Sequence, residues 1–185
     1  VSMVDFRPFR GLVPKLGSKE SIAERVSPPY DVISPNELTK LQKNKYNITR
    51  ITLGGKNGNY DDAAKELKSW ISSKKLVEDD QENFYFYRQS FQQDGRWLYR
   101  NGIVGLLRTE SYEKGGVIPH EETFPKVKED RLNLLRWTST HAESIFGLYK
   151  EAAIDFEEMA KKATKLFDLK DNSGAIHAFY RISDK

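Results

Sequence analysis

Phe84-Tyr85-Phe86-Tyr87-Arg88-Gln89-Ser90-Phe91-Gln92-Gln93-Asp94-Gly95-Arg96-Trp97-Leu98-Tyr99-Arg100 reads as two aromatic strands around a tight turn. Aromatic side chains suit a pleated, half-buried surface. Asp-Gly is the dipeptide of a two-residue hairpin, because both central residues then need positive φ. The spacing predicts one strand over 84–91 and its partner over 97–109, broken by Gly102 and Gly105. Helices and strands flank this hairpin without a regular βαβ alternation. The fold class expected is therefore α+β: a mixed or antiparallel sheet with a central aromatic hairpin and three to four helices.

Upstream of the hairpin, residues 1–33 read as extended and loop-rich, punctuated by Pro8, Pro14, Pro28 and Pro29. Proline fixes φ, removes a donor and pushes the preceding residue to extended geometry. Ser34-Pro35-Asn36-Glu37 is a capping box with proline at the first helical position, so a helix is expected to start there and end near Asn44. The alternation over 48–53 suits a strand, closed by Gly54-Gly55-Lys56-Asn57-Gly58. A helix follows from Tyr60, with Ala63, Leu67, Trp70 and Ile71 at helical spacing and Asp61 and Asp62 at the positive end of its dipole. Downstream, 110–128 reads as irregular, 129–138 as a helix, 144–149 as a strand and 156–167 as a helix. Asp171-Asn172-Ser173-Gly174 is a turn before a last strand over 175–182.

The chain has 185 residues, long enough to bury roughly 70% of the surface its unfolded form exposes. Ten Phe, nine Tyr and three Trp argue against disorder. Thirty Lys and Arg against 27 Asp and Glu leave a net charge of +3, too dispersed for a nucleic-acid footprint. The sequence has no cysteine, which removes disulfides, thiolate metal sites and thiol nucleophiles. It shows no apolar run of membrane-spanning length and no signal-peptide pattern, so no membrane association is expected and the cytoplasm is the default location.

Two clusters carry candidate chemistry. Pro119-His120-Glu121-Glu122-Thr123-Phe124-Pro125-Lys126, followed by Asp130-Arg131, gathers an imidazole, carboxylates, a hydroxyl, an ammonium and a guanidinium within a dozen positions. Such groups suit acid–base work, phosphate binding or a hard metal. The zinc-protease helix pattern is missing, because Phe124 stands where its second histidine would be. The competing reading is a solvated loop with incidental charges. In Pro28-Pro29-Tyr30-Asp31 two prolines hold Tyr30 and Asp31 rigidly, which lowers the entropic cost of presenting a catalytic group. The competing reading there is a structural turn.

The glycine-rich segment 54–58 lacks the Gly-Lys-Ser/Thr ending of a phosphate loop and reads as a turn. The aromatic strand is a base-stacking platform only if its rings are not spent on core packing. His141 and His177 are isolated in sequence and read as structural histidines. Arg100, beside Asn101 and Gly102, either crosses to an acid such as Glu121 or solvates a strand edge.

Taken in order, these motifs resemble the N-terminal part of the domain of unknown function 1015 family. The features are Arg7-Pro8-Phe9-Arg10; Pro28-Pro29-Tyr30-Asp31-Val32; Tyr60 with Ala63, Leu67 and Trp70; and Tyr85, Gln89 and Phe91. Then come Arg100 with Gly102; His120-Glu121-x-Thr123; Pro125-Lys126; Asp130-Arg131-Leu132-x-Leu134-Leu135; Ile145-Phe146; and Leu148-Tyr149. The resemblance implies one N-terminal domain, 1–185, of a protein about twice as long. The longer members carry an aspartate-glycine-histidine-histidine-arginine segment similar to ParB-like proteins and to a ParB-related free serine kinase. Asp171-Asn172-Ser173-Gly174 is not that segment.

By that analogy the chain would be half of a small-molecule phosphotransferase site, the other half lying in the C-terminal part of the same protein. Asp31, His120 and Glu121 would be catalytic. Tyr30, Arg100, Thr123, Lys126, Asp130 and Arg131 would bind substrate or phosphate. A nucleotide and a divalent cation would enter only through the C-terminal half. The alternative is a non-catalytic binding or scaffold module with a protein or nucleic-acid partner.

Overall fold

The Asp94-Gly95 turn forms as its dipeptide requires, with φ of 52° and 74°, between two long antiparallel strands. The computed structural model describes residues 4–18, 20–54, 59–114, 116–119, 122–149 and 154–182. Residues 55–58 of the glycine-rich segment, His120 and Glu121 lie outside them. The strands are β1 (Phe6–Arg7), β2 (Leu12–Pro14), β3 (Leu76–Glu78), β4 (Phe84–Gln93), β5 (Arg96–Val104), β6 (Leu106–Leu107), β7 (Thr164–Lys170) and β8 (Ile176–Ile182). The α-helices are α1 (Pro35–Leu41), α2 (Thr49–Thr52), α3 (Tyr60–Ser72), α4 (Pro125–Thr138) and α5 (Phe156–Lys162). All strand pairs are antiparallel, and the class is α+β.

The chain divides into two compact units, each built from segments distant in sequence. A sheet unit comprises 1–11, 79–122 and 147–185; a helical unit comprises 12–78 and 123–146.

In the sheet unit four strands run in the order β5-β4-β8-β7. Alternation sends Tyr85, Tyr87, Phe167 and Phe179 to one face, where Phe167 stacks on Phe179 at 5.4 Å between ring centroids. Phe86, fully buried on the other face, lies against Tyr180 and against Phe156 of α5. Arg88 fastens α5 to the sheet through Glu157 at 2.8 Å. The break at Gly105 has a steric cause: a Cβ there would sit 2.6 Å from the Phe6 ring and 2.9 Å from the Arg7 carbonyl oxygen. Only glycine lets β1 lie this close.

A buried polar knot ties the unit together. The Asp79 carboxylate accepts from the Tyr85 hydroxyl at 2.5 Å and from Arg181 through both Nε, at 2.8 Å, and Nη2. The Gly11 N–H donates to the same Tyr85 oxygen at 2.8 Å. Arg10 Nε donates to the Asp79 carbonyl at 2.7 Å. Burial, then the bond to Asp79, pushes the Tyr85 hydroxyl up to about 12.

In the helical unit the amphipathic α3 buries Ala63, Ala64, Leu67 and Trp70. Leu67 and Trp70 form a core with Ile51, flanked by Leu12, Tyr46, Ile48 and Leu76. The Trp70 indole N–H donates to Glu66 at 3.1 Å, and its ring meets Tyr46 edge-on at 5.9 Å. Asn59 caps α3 by accepting from the Asp61 N–H at 3.1 Å, and Ser34 caps α1 by accepting from the Glu37 N–H at 3.3 Å. Helix α4 packs along α3. It ends at Ser139, which adopts φ 51° and donates its N–H to the Leu135 carbonyl at 2.7 Å.

Several elements differ from those expected. The segment read as a strand over 48–53 is the single helical turn α2. Fully buried Asn47 accepts from the Thr49 N–H and hydroxyl at 3.1 and 2.7 Å, while its amide donates to the Glu24 and Val26 carbonyls. That local bonding outweighs the β-branched alternation. Helix α4 starts at Pro125 rather than 129, with proline at its first position. Residues 164–167, expected to end a helix, belong to β7, because Phe167 gains a ring partner across the sheet. No strand forms over 144–149, and Ile145 is 97% exposed. The loop-rich start contains the short β1 and β2, which find partners in β6 and β3. Among the described residues no helix is long and apolar enough to cross a membrane.

Candidate functional site

The Pro28-Pro29-Tyr30-Asp31 turn meets helix α4 in the helical unit. Pro29 carries the chain at φ −52° into a 3₁₀ turn, Tyr30–Val32. This presents the Tyr30 ring to α4, where the Arg131 guanidinium lies 4.4 Å from the ring centroid. Such a cation–π contact is worth about 0.5–2 kcal/mol, depending on desolvation.

Arg131 is held from two further sides. Its Nε donates to Asp130 Oδ2 and its Nη1 to Glu143 Oε2, each at 2.9 Å. The other Asp130 oxygen accepts from the Tyr60 hydroxyl at the start of α3. Adjacent residues of one helix thus join three remote points of the unit. Burial works against the charge of Asp130, but Tyr60 and Arg131 prevail and hold its carboxyl below the usual range. Asp130 in turn pushes the Tyr60 hydroxyl up. Arg131 is raised against the effect of its own burial by Asp130 and Glu143.

Around this closed knot lie exposed groups. Asp31 follows Tyr30 on the 3₁₀ turn; Thr123 precedes α4; Lys126 stands in its first turn. Their side chains have no bonded partner among the described residues. Phe124, the N-cap of α4, supplies no side-chain cap, and the first turn carries no acid. Its N-terminal dipole is therefore complemented by no carboxylate there. Lys126 precedes Arg131 by five positions, roughly 7–8 Å along the axis.

Of the residues singled out from sequence, Tyr30, Asp130 and Arg131 are brought together, with Asp31, Thr123 and Lys126 on the same unit. His120 and Glu121 lie outside the described residues. Arg100 belongs to the sheet unit, where it donates to Gln89 at 2.9 Å and lies over the Phe91 ring at 5.5 Å. Sequence reasoning missed Glu143, which offers no pattern of its own, five positions beyond a helix that ends at 138. It also missed that Tyr60 contributes a hydroxyl as well as helix packing.

A family model for proteins of unknown function, DUF1015, matches residues 6–185. The chain belongs to that family. No curated protein and no solved structure matches it. Within the DUF1015 chain, the Arg-x-Gly step falls in the sheet unit, while the Pro-Pro-Tyr-Asp and Asp-Arg-Leu signatures fall together in the helical unit.

A second polar cluster lies in the sheet unit. The Tyr87 hydroxyl and His177 Nδ1 are 2.6 Å apart, and His177 Nε2 and Asp171 Oδ2 are 3.0 Å apart. Asp171 Oδ1 also accepts from the Ser173 N–H and hydroxyl and from the Ala175 N–H. His177 first, then Ser173, brings the Asp171 carboxyl down to about 2. His177 is thus a satisfied histidine that fixes the β7–β8 turn, although nothing in the sequence paired it. Among the described residues no group of three or more histidines and acids is placed to hold a metal ion.

The lowered carboxyls set the acid stability. Asp130 and Asp171 bind protons less readily folded than unfolded, so the unfolded chain takes up more protons as pH falls. Their contribution is complete above about pH 5 and drains away toward pH 2. Urea unfolding should show a falling midpoint over this range. The Asp171→Asn chain should lose less between about pH 5 and pH 3 than the unaltered chain. Equal losses would contradict the assignment.

Proposed function

We propose that the helical unit supplies one half of a site for phosphoryl transfer to a small hydroxyl compound. The observation that supports this reading most is the Tyr30–Arg131 contact: it ties the proline-rigid Asp31 to the helix that carries Lys126 and follows Thr123. Phosphoryl transfer is chiefly positioning and electrostatics. In this reading the substrate oxygen bonds to the phosphorus of a nucleotide donor while its proton passes to Asp31. The donor's bridging P–O bond breaks, and its electron pair leaves with the donor. Lys126 and Thr123 receive the transferred group. Arg131, already engaged on three sides, positions the site instead of contacting phosphate. The nucleotide and any divalent cation are supplied by the C-terminal half of the full-length protein.

The mutual satisfaction of Asp130, Arg131, Tyr60 and Glu143 favours a second reading, a scaffold whose charges brace loops. The full-length protein separates the two. Assayed with nucleoside di- and triphosphates, a divalent metal, and serine and related alcohols, it should phosphorylate at least one alcohol. Turnover should fall at least tenfold in Asp31→Ala and in Lys126→Ala. No turnover with any nucleotide and metal, or unchanged turnover in both variants, would leave the scaffold.

A further inference from the structure

Three cations crowd one ring in the helical unit. The Arg25 guanidinium carbon, Lys45 Nζ and Lys75 Nζ lie 5.2, 4.9 and 5.0 Å from the centroid of Tyr46. A ring has two faces, so at least two of the three share one. A fourth cation stands beside them. The Lys15 N–H donates to the Lys75 carbonyl at 3.0 Å, which continues the β2–β3 register and sets Lys15 opposite Lys75. Like charges directly opposite each other destabilise a strand pair. Among the described residues Glu20 is the carboxylate that bonds to this group. It accepts from Arg25, from Lys75 at 2.9 Å and from the Gly17 N–H at 2.9 Å. Glu24, beside Arg25 in the chain, accepts from the Asn44 amide at 3.2 Å. Positive charge therefore stays in excess, and among the described residues the exposed Lys15 and Lys45 meet no carboxylate. Arg25, its side chain 7% exposed, is fixed by Glu20 and by the Lys75 carbonyl at 3.1 Å. The floor of the cluster is thus ordered before any ligand arrives, which lowers the cost of binding.

We propose that the cluster around Tyr46 binds the phosphate chain of a small oligophosphate compound. Such a chain carries several negative charges on adjacent groups, which matches a cation excess gathered at one point. A nucleic-acid backbone calls instead for a basic stripe or face, and the whole chain carries only +3. The Tyr46 ring is already engaged by cations, so recognition rests on charge and not on stacking. Lys45 and Lys15 supply ammonium groups that act as point charges on flexible stems. Lys75 is their common neighbour and divides its charge between Glu20 and the ligand. Arg25, committed to Glu20, holds the floor. The bound anion relieves the like-charge crowding, so binding also stabilises the fold. The inference uses no residue of the phosphotransfer reading and is independent of it.

Titration calorimetry of the 185-residue chain with tripolyphosphate, orthophosphate and a short DNA duplex, at fixed ionic strength, tests it. Tripolyphosphate should bind at least tenfold more tightly than orthophosphate and should raise the melting temperature. Both effects should weaken as salt is added. Lys45→Gln should lower the affinity at least threefold, and Lys75→Gln at least as much. Lys45 is exposed and touches only the ring, so its replacement spares the fold, and circular dichroism checks both variants. Lys161→Gln, in α5 of the sheet unit, should leave the affinity unchanged. The proposal is overturned by no binding at millimolar tripolyphosphate, by orthophosphate binding as tightly, or by the duplex binding more tightly. It is equally overturned if Lys161→Gln weakens binding as much as Lys45→Gln, or if the Lys45→Gln, Lys75→Gln double variant keeps its affinity. A loss in Lys126→Gln without one in Lys45→Gln would place the phosphates at α4 and overturn it too.

Discussion

Asp79→Ala should destabilise the chain by about 3–5 kcal/mol, the range for removing one partner of a buried ion pair. The side chain of Asp79 is 7% exposed and answers two groups at once, Arg181 and the Tyr85 hydroxyl. Removing it leaves the half-buried Arg181 without its carboxylate and the buried Tyr85 hydroxyl without its acceptor. The same substitution loosens the first strand segment, because Gly11 is anchored on the Tyr85 oxygen. A Cβ on Gly11 would lie 2.5 Å from that oxygen, so a larger residue there would collide with the Tyr85 ring. For a chain of this length the loss corresponds to a melting temperature lower by roughly 6–20 °C. Thermal unfolding followed by circular dichroism reads it directly. A shift under about 2 °C would mean that the knot is not closed in solution.

Arg131→Ala should cost about 2–3 kcal/mol. The contact with Tyr30 contributes about 0.5–1 kcal/mol. The partly exposed pairing with Glu143 adds up to about 1 kcal/mol. The rest comes from Asp130, whose charge loses its cation while Tyr60 still donates to it. Arg131→Lys keeps a charge but neither the planar face over Tyr30 nor the fork toward Asp130 and Glu143, so it should recover less than half of the loss. If the proposed phosphotransfer reading holds, the same substitution lowers turnover through Asp31 and Lys126. Denaturant unfolding of the two variants checks the stability order, and full recovery by lysine would reduce Arg131 to a simple charge.

What could be read from the residues, and what could not, follows the range of the forces involved. The hairpin was legible because Asp94-Gly95 states its backbone geometry locally. Helices α1 and α3 were legible for the same reason, through the Ser34 cap and the apolar spacing of Ala63, Leu67 and Trp70. Helix α4 was found, but its first turn was not credited to Pro125, although proline at a first helical position is itself a start signal. The turn at α2 was misread because what decides it is an amide, Asn47, bonded to residues more than 20 positions upstream. Phe167 was misread because its stacking partner, Phe179, sits across a sheet no periodicity announces. The site divides in the same way. Tyr30, Asp130 and Arg131 stood out as dense polar motifs beside prolines. That Arg131 is spent on Tyr30, Asp130 and Glu143, leaving Lys126, Thr123 and Asp31 at the rim, depends on helix packing that only the fold supplies.

The meeting of the Tyr30 turn with helix α4 is the claim on which the functional reading rests, and a double-mutant cycle tests it most directly. Tyr30→Leu and Arg131→Met are made singly and together, and unfolding free energies are measured for all four chains. The contact predicts a coupling of about 0.5–1 kcal/mol between the two positions. Additivity within about 0.3 kcal/mol would show that the guanidinium and the ring do not meet, and would contradict the account.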